Sequence, residues 1–323
     1  MRREFNITGS CNPERHYMVD TSRRFAQIAD LIERGKYFTI NRARQFGKTT
    51  MLMTIWRKLQ EKYLVLPLSF EGMGDAVFAS EKAFVGMFSR QVSNLLDKEV
   101  AAIWSEAPAN SLEDLSEAIT TFTKASPRPV ILTIDEVDKS SDNQLFLNFL
   151  GMLRNKYLAR EIEGFGSTFQ SVILAGVHDI KNLKLKLRPD EERKYNSPWN
   201  IATDFTVDMT FHPEEIAQML SDYEADFHTG MDILAVSREI YRYTNGYPFL
   251  VSYICYLMDE QFSKDWSVGG ILTAVKYIVK GGSTLLDDLS KNLENNPDFK
   301  EFMYQVCING ESYAFSLLNP MVR

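Results

Sequence analysis

Asn41-Arg42-Ala43-Arg44-Gln45-Phe46-Gly47-Lys48-Thr49-Thr50 (NRARQFGKTT) separates a short apolar run, Tyr37–Asn41 (YFTIN), from a long amphipathic one, Lys48–Lys62. A strand, a loop and then a helix that opens on Gly-Lys-Thr is the context of a phosphate-binding loop. The physics of each position is specific. A helix N-terminus offers unpaired N–H groups and the positive end of its dipole, and so attracts phosphate. Gly47 lets the backbone approach closely and take a positive φ. Lys48 sets an ammonium against the β- and γ-phosphates. The Thr49 hydroxyl can ligate Mg²⁺, and Thr50 adds a hydroxyl at the same helix end. The full pattern asks for glycine at position 42, where this chain has Arg42. That departure affects the start of the loop and leaves its phosphate end intact.

Further along, Val130–Ile134 (VILTI) is apolar throughout and runs into Asp135-Glu136. A short strand of this kind is covered on both faces, as in a parallel sheet. A strand next to the loop that ends in acids can complete the shell of a phosphate-bound Mg²⁺. Asp135 fits that role, Glu136 is placed to polarise an attacking water as general base, and Asp138 shapes the turn. Around these two segments, Tyr63–Phe70, Ser171–Val177 and Phe205–Met209 read as three more strands. Ala76–Leu96, Leu112–Phe122 and Asn143–Ala159 carry helical periodicity. This alternation predicts a layered α/β unit with a parallel sheet.

After about residue 211 the pattern turns helical: Pro213–Asp226, Met231–Thr244, Pro248–Phe262 and Val268–Val279. Pro213, followed by Glu214 and Glu215, is a favourable helix start. Beyond residue 298 come one more helix, Phe299–Val306, a turn at Asn309-Gly310 and an apparent strand, Ser312–Leu317. That strand has no visible partner and reads as the beginning of a module cut short.

Composition narrows the function classes. The 323 residues leave room for about two domains, and 45% hydrophobic with 24% charged residues is a globular balance. The formal charge of −7 argues against a general polyanion binder. The basic stretch Lys181–Lys194 is interrupted by Asp190, Glu191 and Glu192 and has no aromatic ladder, so it reads as a solvated segment. Cys11, Cys255 and Cys307 are far apart and lack metal-ligand spacing, which suits reduced thiols in the cytoplasm. The polar N-terminus has no leader pattern, and no stretch approaches the ~18 apolar residues of a membrane span.

The segment Arg44-Gln45-Phe46-Gly47-Lys48-Thr49 resembles the Pro-Arg-[Arg/Gln]-x-Gly-Lys-[Thr/Ser] loop of prokaryotic AAA-like ATPases of the STAND class. His16-Tyr17-Met18-Val19-Asp20 is similar to the family's N-terminal segment, which packs near the adenine. Asp135-Glu136 matches its Walker B pair. Thr244–Phe249 (TNGYPF) resembles its Gly-x-Pro motif, whose proline, here Pro248, approaches the base. Gly246 and Pro248 read equally well as a helix C′ residue and the first residue of the next helix. Ser197-Pro198-Trp199-Asn200 looks like a recurring segment without an assigned role.

The resemblance implies an additional-strand, AAA-like P-loop NTPase fold: a parallel sheet with helices on both faces plus a helical lid. It implies a core at residues 1–210, a lid at 211–295 and a partial module at 296–323, the start of a winged helix. ATP would be held by Tyr17, Arg44, Gln45, Phe46, Gly47, Lys48, Thr49, Thr50, Asp135 and Pro248, and Mg²⁺ by Thr49 and Asp135. Lys48, Glu136 and Arg44 would carry catalysis. His178 or Asp179, at the end of Ser171–Val177, would sense the γ-phosphate. Arg154, Arg160, Arg188 and Arg193 are further candidates for an arginine finger. The implied activity is an ATP-hydrolysing switch with ATP or ADP, further copies of itself or an effector protein as partners. The alternatives are a nucleotide-locked scaffold with little hydrolysis and an ATPase subunit of a nucleic-acid-processing system.

Overall fold

The computed structural model describes residues 2–105, 109–137, 143–162, 166–177, 199–281 and 283–313. Four parallel strands form one sheet: β1 (Phe38–Asn41), β2 (Leu64–Ser69), β3 (Val130–Asp135) and β4 (Ser171–Gly176), in the order β1-β4-β3-β2. The two central strands are buried along their whole length, which is why both read as unbroken apolar runs.

Side chains alternate cleanly between the two faces, as the period of a strand requires. Ile40, Val65, Ile131, Ile173 and Ala175 pack with α1 (Ser22–Glu33) and α2 (Lys48–Leu59). Leu66, Leu132 and Leu174 face the other way, towards α3 (Glu81–Leu95), α5 (Leu112–Ala125) and α6 (Gln144–Glu161). A short α4 (Lys98–Ser105) lies beside α3 and α5. The expected helix at Ala76–Leu96 is two pieces, a single 3₁₀ turn at Asp75–Phe78 and then α3. Ser80 breaks it by accepting the Ala83 N–H as N-cap.

The expected fifth strand, Phe205–Met209, is not formed. Thr203 makes one parallel bridge to Phe38, and its N–H donates to Tyr37 O at 2.8 Å. Beyond it, arginine side chains take backbone carbonyls that strand pairing would use. Arg42 donates to Val207 O, and Arg24 donates to Asp208 O and Thr210 O. Phe205 still stacks on Phe38, and Val207 and Met209 are still buried. The alternation in sequence recorded which side chains face the core; it carried no information about the backbone ladder.

The second half is helical: α7 (Pro213–Phe227), α8 (Ile233–Thr244), α9 (Pro248–Glu260), α10 (Val268–Val279), α11 (Thr284–Asn295) and α12 (Pro297–Cys307). Pro213, Pro248 and Pro297 begin their helices, where the missing N–H is no loss. The core of α7–α10 is completed from the far end of the chain by Phe5, Tyr17 and Val19. Phe5 lies 5.0 Å from the Tyr17 ring and 5.2 Å from that of Tyr223. Arg3 pairs with Asp222 and Asp226 on α7. Buried Arg24 of α1 pairs with Glu215 of α7 at 2.6 Å and so ties the sheet half to the helical half. The expected strand at Ser312–Leu317 lies, past residue 313, outside the described residues. Among the described residues no helix is long and apolar enough to cross a membrane, and Cys11, Cys255 and Cys307 are unpaired thiols.

Candidate nucleotide-binding site

At the carboxyl end of β1 the chain turns through residues 42–47 into α2. Gly47 has φ 80°, the left-handed conformation that glycine reaches without strain, and opens α2 as its N-cap. Lys48 is 7% exposed, and its ammonium donates to Arg42 O and Ala43 O at 2.9 Å each. The loop therefore curls over its own lysine. Arg42, standing where the pattern asks for glycine, is accommodated by turning its side chain onto the stretch Phe205–Val207. Its guanidinium donates to Asn41 O and Val207 O and lies 5.3 Å over the Phe205 ring.

β4 separates β1 from β3, so the strand carrying the acids is one place removed from the loop strand rather than next to it. α2 bridges that gap: Thr49 Oγ1 donates to Asp135 Oδ2 at 2.6 Å. Asp135 is itself buried, and its other oxygen accepts the Glu136 N–H at 2.9 Å. Glu136 takes φ 57°, a conformation rare for a residue with a side chain, and its residue lines the cavity that the loop faces. Strain held at such a position is a common mark of a working site.

That cavity has a volume of about 670 Å³ and lies between the loop and the helical half. Tyr17, Arg44, Gln45, Phe46, Gly47, Lys48, Thr49, Thr50, Glu136 and Pro248 all line it; Asp135 stands behind Thr49. Thr50 does more than add a hydroxyl, since it accepts the Cys11 N–H and pins the N-terminal segment to α2. Tyr17 donates its hydroxyl to Asp226 at 2.7 Å, and burial together with that bond holds its proton well above the usual phenol range. The Arg44 guanidinium forms an exposed pair with Asp288 of α11 at 3.4 Å. The backbone of Arg44 accepts the Tyr247 hydroxyl, and the Tyr247 ring meets Phe46 edge-on at 4.8 Å. The Gly246-Tyr247-Pro248 corner therefore touches the loop directly.

Gly246 is required there. Its φ is 71°, and a Cβ would sit 2.1 Å from Phe211 O, in the stretch connecting the two halves.

The cavity also contains residues that the sequence did not signal. Asn6 to Gly9 form part of its wall, Met209 and Phe211 come from the connection, and Ser252 and Phe249 from α9. Glu71 was within reach of inference, because it lies two residues past Ser69, the register partner of Asp135. Arg160 is not at this site. It donates to Gly35 O, Phe169 O and Gln170 O at the opposite, amino-terminal end of the strands. Arg154 is bonded to Asn200. Trp199 is buried beside Tyr37, 5.9 Å between rings. Asp138, His178, Asp179, Lys181–Lys194 with Arg188 and Arg193, Ser197 and Pro198 lie outside the described residues.

A parallel sheet flanked by helices on both faces, with a Gly-Lys-Thr loop between its first strand and the helix that follows, defines a P-loop NTPase fold. Residues 11–318 match the family described as AAA-like domain, and the chain belongs to that family. Among solved structures, it is similar to the Aeropyrum pernix ORC1 protein in complex with DNA. That match has a TM-score of 0.45 and 10% identity and covers 92% of this chain and 74% of that one. No curated protein matches it.

Proposed function

We propose that this chain is an ATP-binding, Mg²⁺-dependent ATPase acting as a STAND-type switch, with residues 211–295 as a lid over a core at 1–210. Residues 296–323 would form part of a third module. The observation that carries this reading is the convergence of Lys48, Thr49, Glu136 and Pro248 on one cavity, with Asp135 bonded behind Thr49. The Lys48 ammonium and the amides that open α2 bind the phosphates. Thr49 and Asp135 offer a hydroxyl and a carboxylate oxygen, hard donors that suit Mg²⁺. Bound there, the ion neutralises charge on the phosphates. Glu136 accepts the proton of the attacking water. Tyr17 and Pro248 flank the base, and the chain has no Asn-Lys-x-Asp guanine-reading motif. Tyr247 and Arg44 couple the loop to the lid, so phosphate contacts can bias lid position.

Nucleotide binding and turnover of the native chain, Lys48→Ala and Glu136→Gln test this. Lys48→Ala is expected to weaken ATP binding about a hundredfold, the loss of a charge-assisted contact with phosphate. Glu136→Gln is expected to keep binding and lose about a hundredfold in turnover. Equal ATP affinity in the native chain and Lys48→Ala refutes the site; unchanged turnover in Glu136→Gln refutes the base. The same lid contacts also support a second reading, a nucleotide-locked scaffold, which tight binding with no turnover in the native chain would favour.

A further inference from the structure

A second trough, of about 800 Å³, runs between α5 and α6 and shares no lining residue with the nucleotide cavity. Lys156 of α6 lies half-buried in it. Its ammonium donates to Ser116 O at 2.8 Å and Thr120 Oγ1 at 2.5 Å, with Ser116 Oγ at 3.4 Å. All three partners are neutral oxygens. Among the described residues no carboxylate lies within ion-pair distance of Lys156, and burial pushes its amine down to about 8. Among the described residues this partly desolvated cation is thus held by neutral dipoles, without a counter-charge.

Gly151, in the middle of α6, is a second and independent observation. Glycine is a poor residue for a helix interior, and its conformation here is ordinary. A Cβ built on it meets nothing within 4 Å, so packing does not demand its absence. Gly151 lines the trough, so a larger side chain there would take up part of its open space.

We propose that this trough is a binding site for a short peptide segment whose carboxylate pairs with Lys156. The chemistry of the walls selects that class. Lys156 provides a single positive charge, and Glu113 lies in the same trough near the start of α5. One cation with an acid nearby matches a monoanionic carboxylate and disfavours a dianionic phosphate. Asn148 and Asn155, two turns apart on α6, carry amides of the kind that pair with peptide groups, although the Asn148 oxygen already accepts from Gln144 Nε2 at 2.9 Å. Leu147 and Met152 add apolar contact. The volume falls within the ~300–1,000 Å³ of small-ligand pockets.

Three probes test this on the full chain: N-acetyl-Ala-Ala-Glu amide, N-acetyl-Ala-Ala-Ala with a free C-terminus, and neutral N-acetyl-Ala-Ala-Gln amide. Binding is followed by NMR with lysine labelled at ¹⁵Nζ. At least one acidic probe is expected to saturate with a dissociation constant at or below about 1 mM. The expected shift is upward in the Lys156 titration midpoint, because a neighbouring carboxylate favours the charged amine. Which acidic probe saturates tells a side-chain carboxylate from a chain end. Gly151→Leu, which fills open space, should abolish binding, and Lys156→Met should weaken it roughly tenfold or more. Lys48→Ala should leave it unchanged, which separates this site from the nucleotide reading. The proposal is overturned if neither acidic probe saturates, if the Gln probe binds equally well, or if folded Gly151→Leu binds like the native chain.

Discussion

The cores of the sheet half draw only on residues 25–209, and the core of the helical half reaches outside its own stretch of chain. β1, β2 and β3 each lead along the chain into helical structure, and β3 and β4 are buried along their whole length. The core of α7–α10 instead needs Phe5, Tyr17 and Val19 from the opposite end of the chain. The contrast bears on the nucleotide cavity, because one wall belongs to each half. The phosphate side is set by a contiguous loop and one strand end. The other side depends on contacts spanning some two hundred residues, such as Tyr17 to Asp226.

Truncating Phe5 breaks this arrangement most severely. It is 3% exposed and touches the rings of Tyr17, Tyr223 and Trp266. Phe5→Ala should cost about 3 kcal/mol or more of stability, the usual cost of a large core cavity. It should also weaken nucleotide binding, since Tyr17 loses its backing. Ile119→Ala, in the core beneath α5, should cost a similar amount and leave affinity intact. Thermal unfolding and nucleotide titration of both variants check this. Equal affinities in the two variants would show that the N-terminal segment plays no part in the cavity.

The two glycines of the site sharpen the comparison on a smaller scale. Gly246 and Gly47 both have positive φ, 71° and 80°. Only Gly246 is also pressed against backbone, at Phe211. Gly246→Ala should therefore cost about 2 kcal/mol or more, conformational strain plus a displaced connection. Gly47→Ala, with no atom within 4 Å of its Cβ, should cost about 1 kcal/mol, the strain alone. Urea midpoints of the two variants test the order, and reversal would mean that the connection through Phe211 yields freely.

These contrasts also explain what was legible in advance. The loop, Asp135 and Glu136 were legible because the chemistry is compressed into consecutive residues at strand ends. Pro213 and Pro248 announced their helices through a local steric rule. The wall at Asn6 to Gly9 was not legible, because no local pattern states that it will meet α2. The fifth strand misled because side-chain alternation persists where Arg24 and Arg42 have taken the carbonyls. α11 was legible in principle, because Leu285, Leu286, Leu289 and Leu293 stand at helical spacing, whereas the eight residues of α4 give little periodicity to read.

The last comparison concerns Lys156, where the sign of the effect follows from burial alone. The folded amine titrates at about 8, against 10.5 for the ordinary side chain. Between those values the unfolded chain holds a proton that the folded chain has released. Stability contributed by this site therefore rises as pH goes from about 8 to 10.5, and below about 8 the folded state bears the full cost of a partly buried ammonium. Lys156→Met keeps the aliphatic stem and removes the titration, so the rise in urea midpoint over that pH window should flatten relative to the native chain. An unchanged slope would mean that the ammonium is as well solvated in the trough as in water. It would also remove the reason for a counter-charge there, whereas flattening would leave the cost of the unpaired cation as a free energy that an arriving carboxylate can recover.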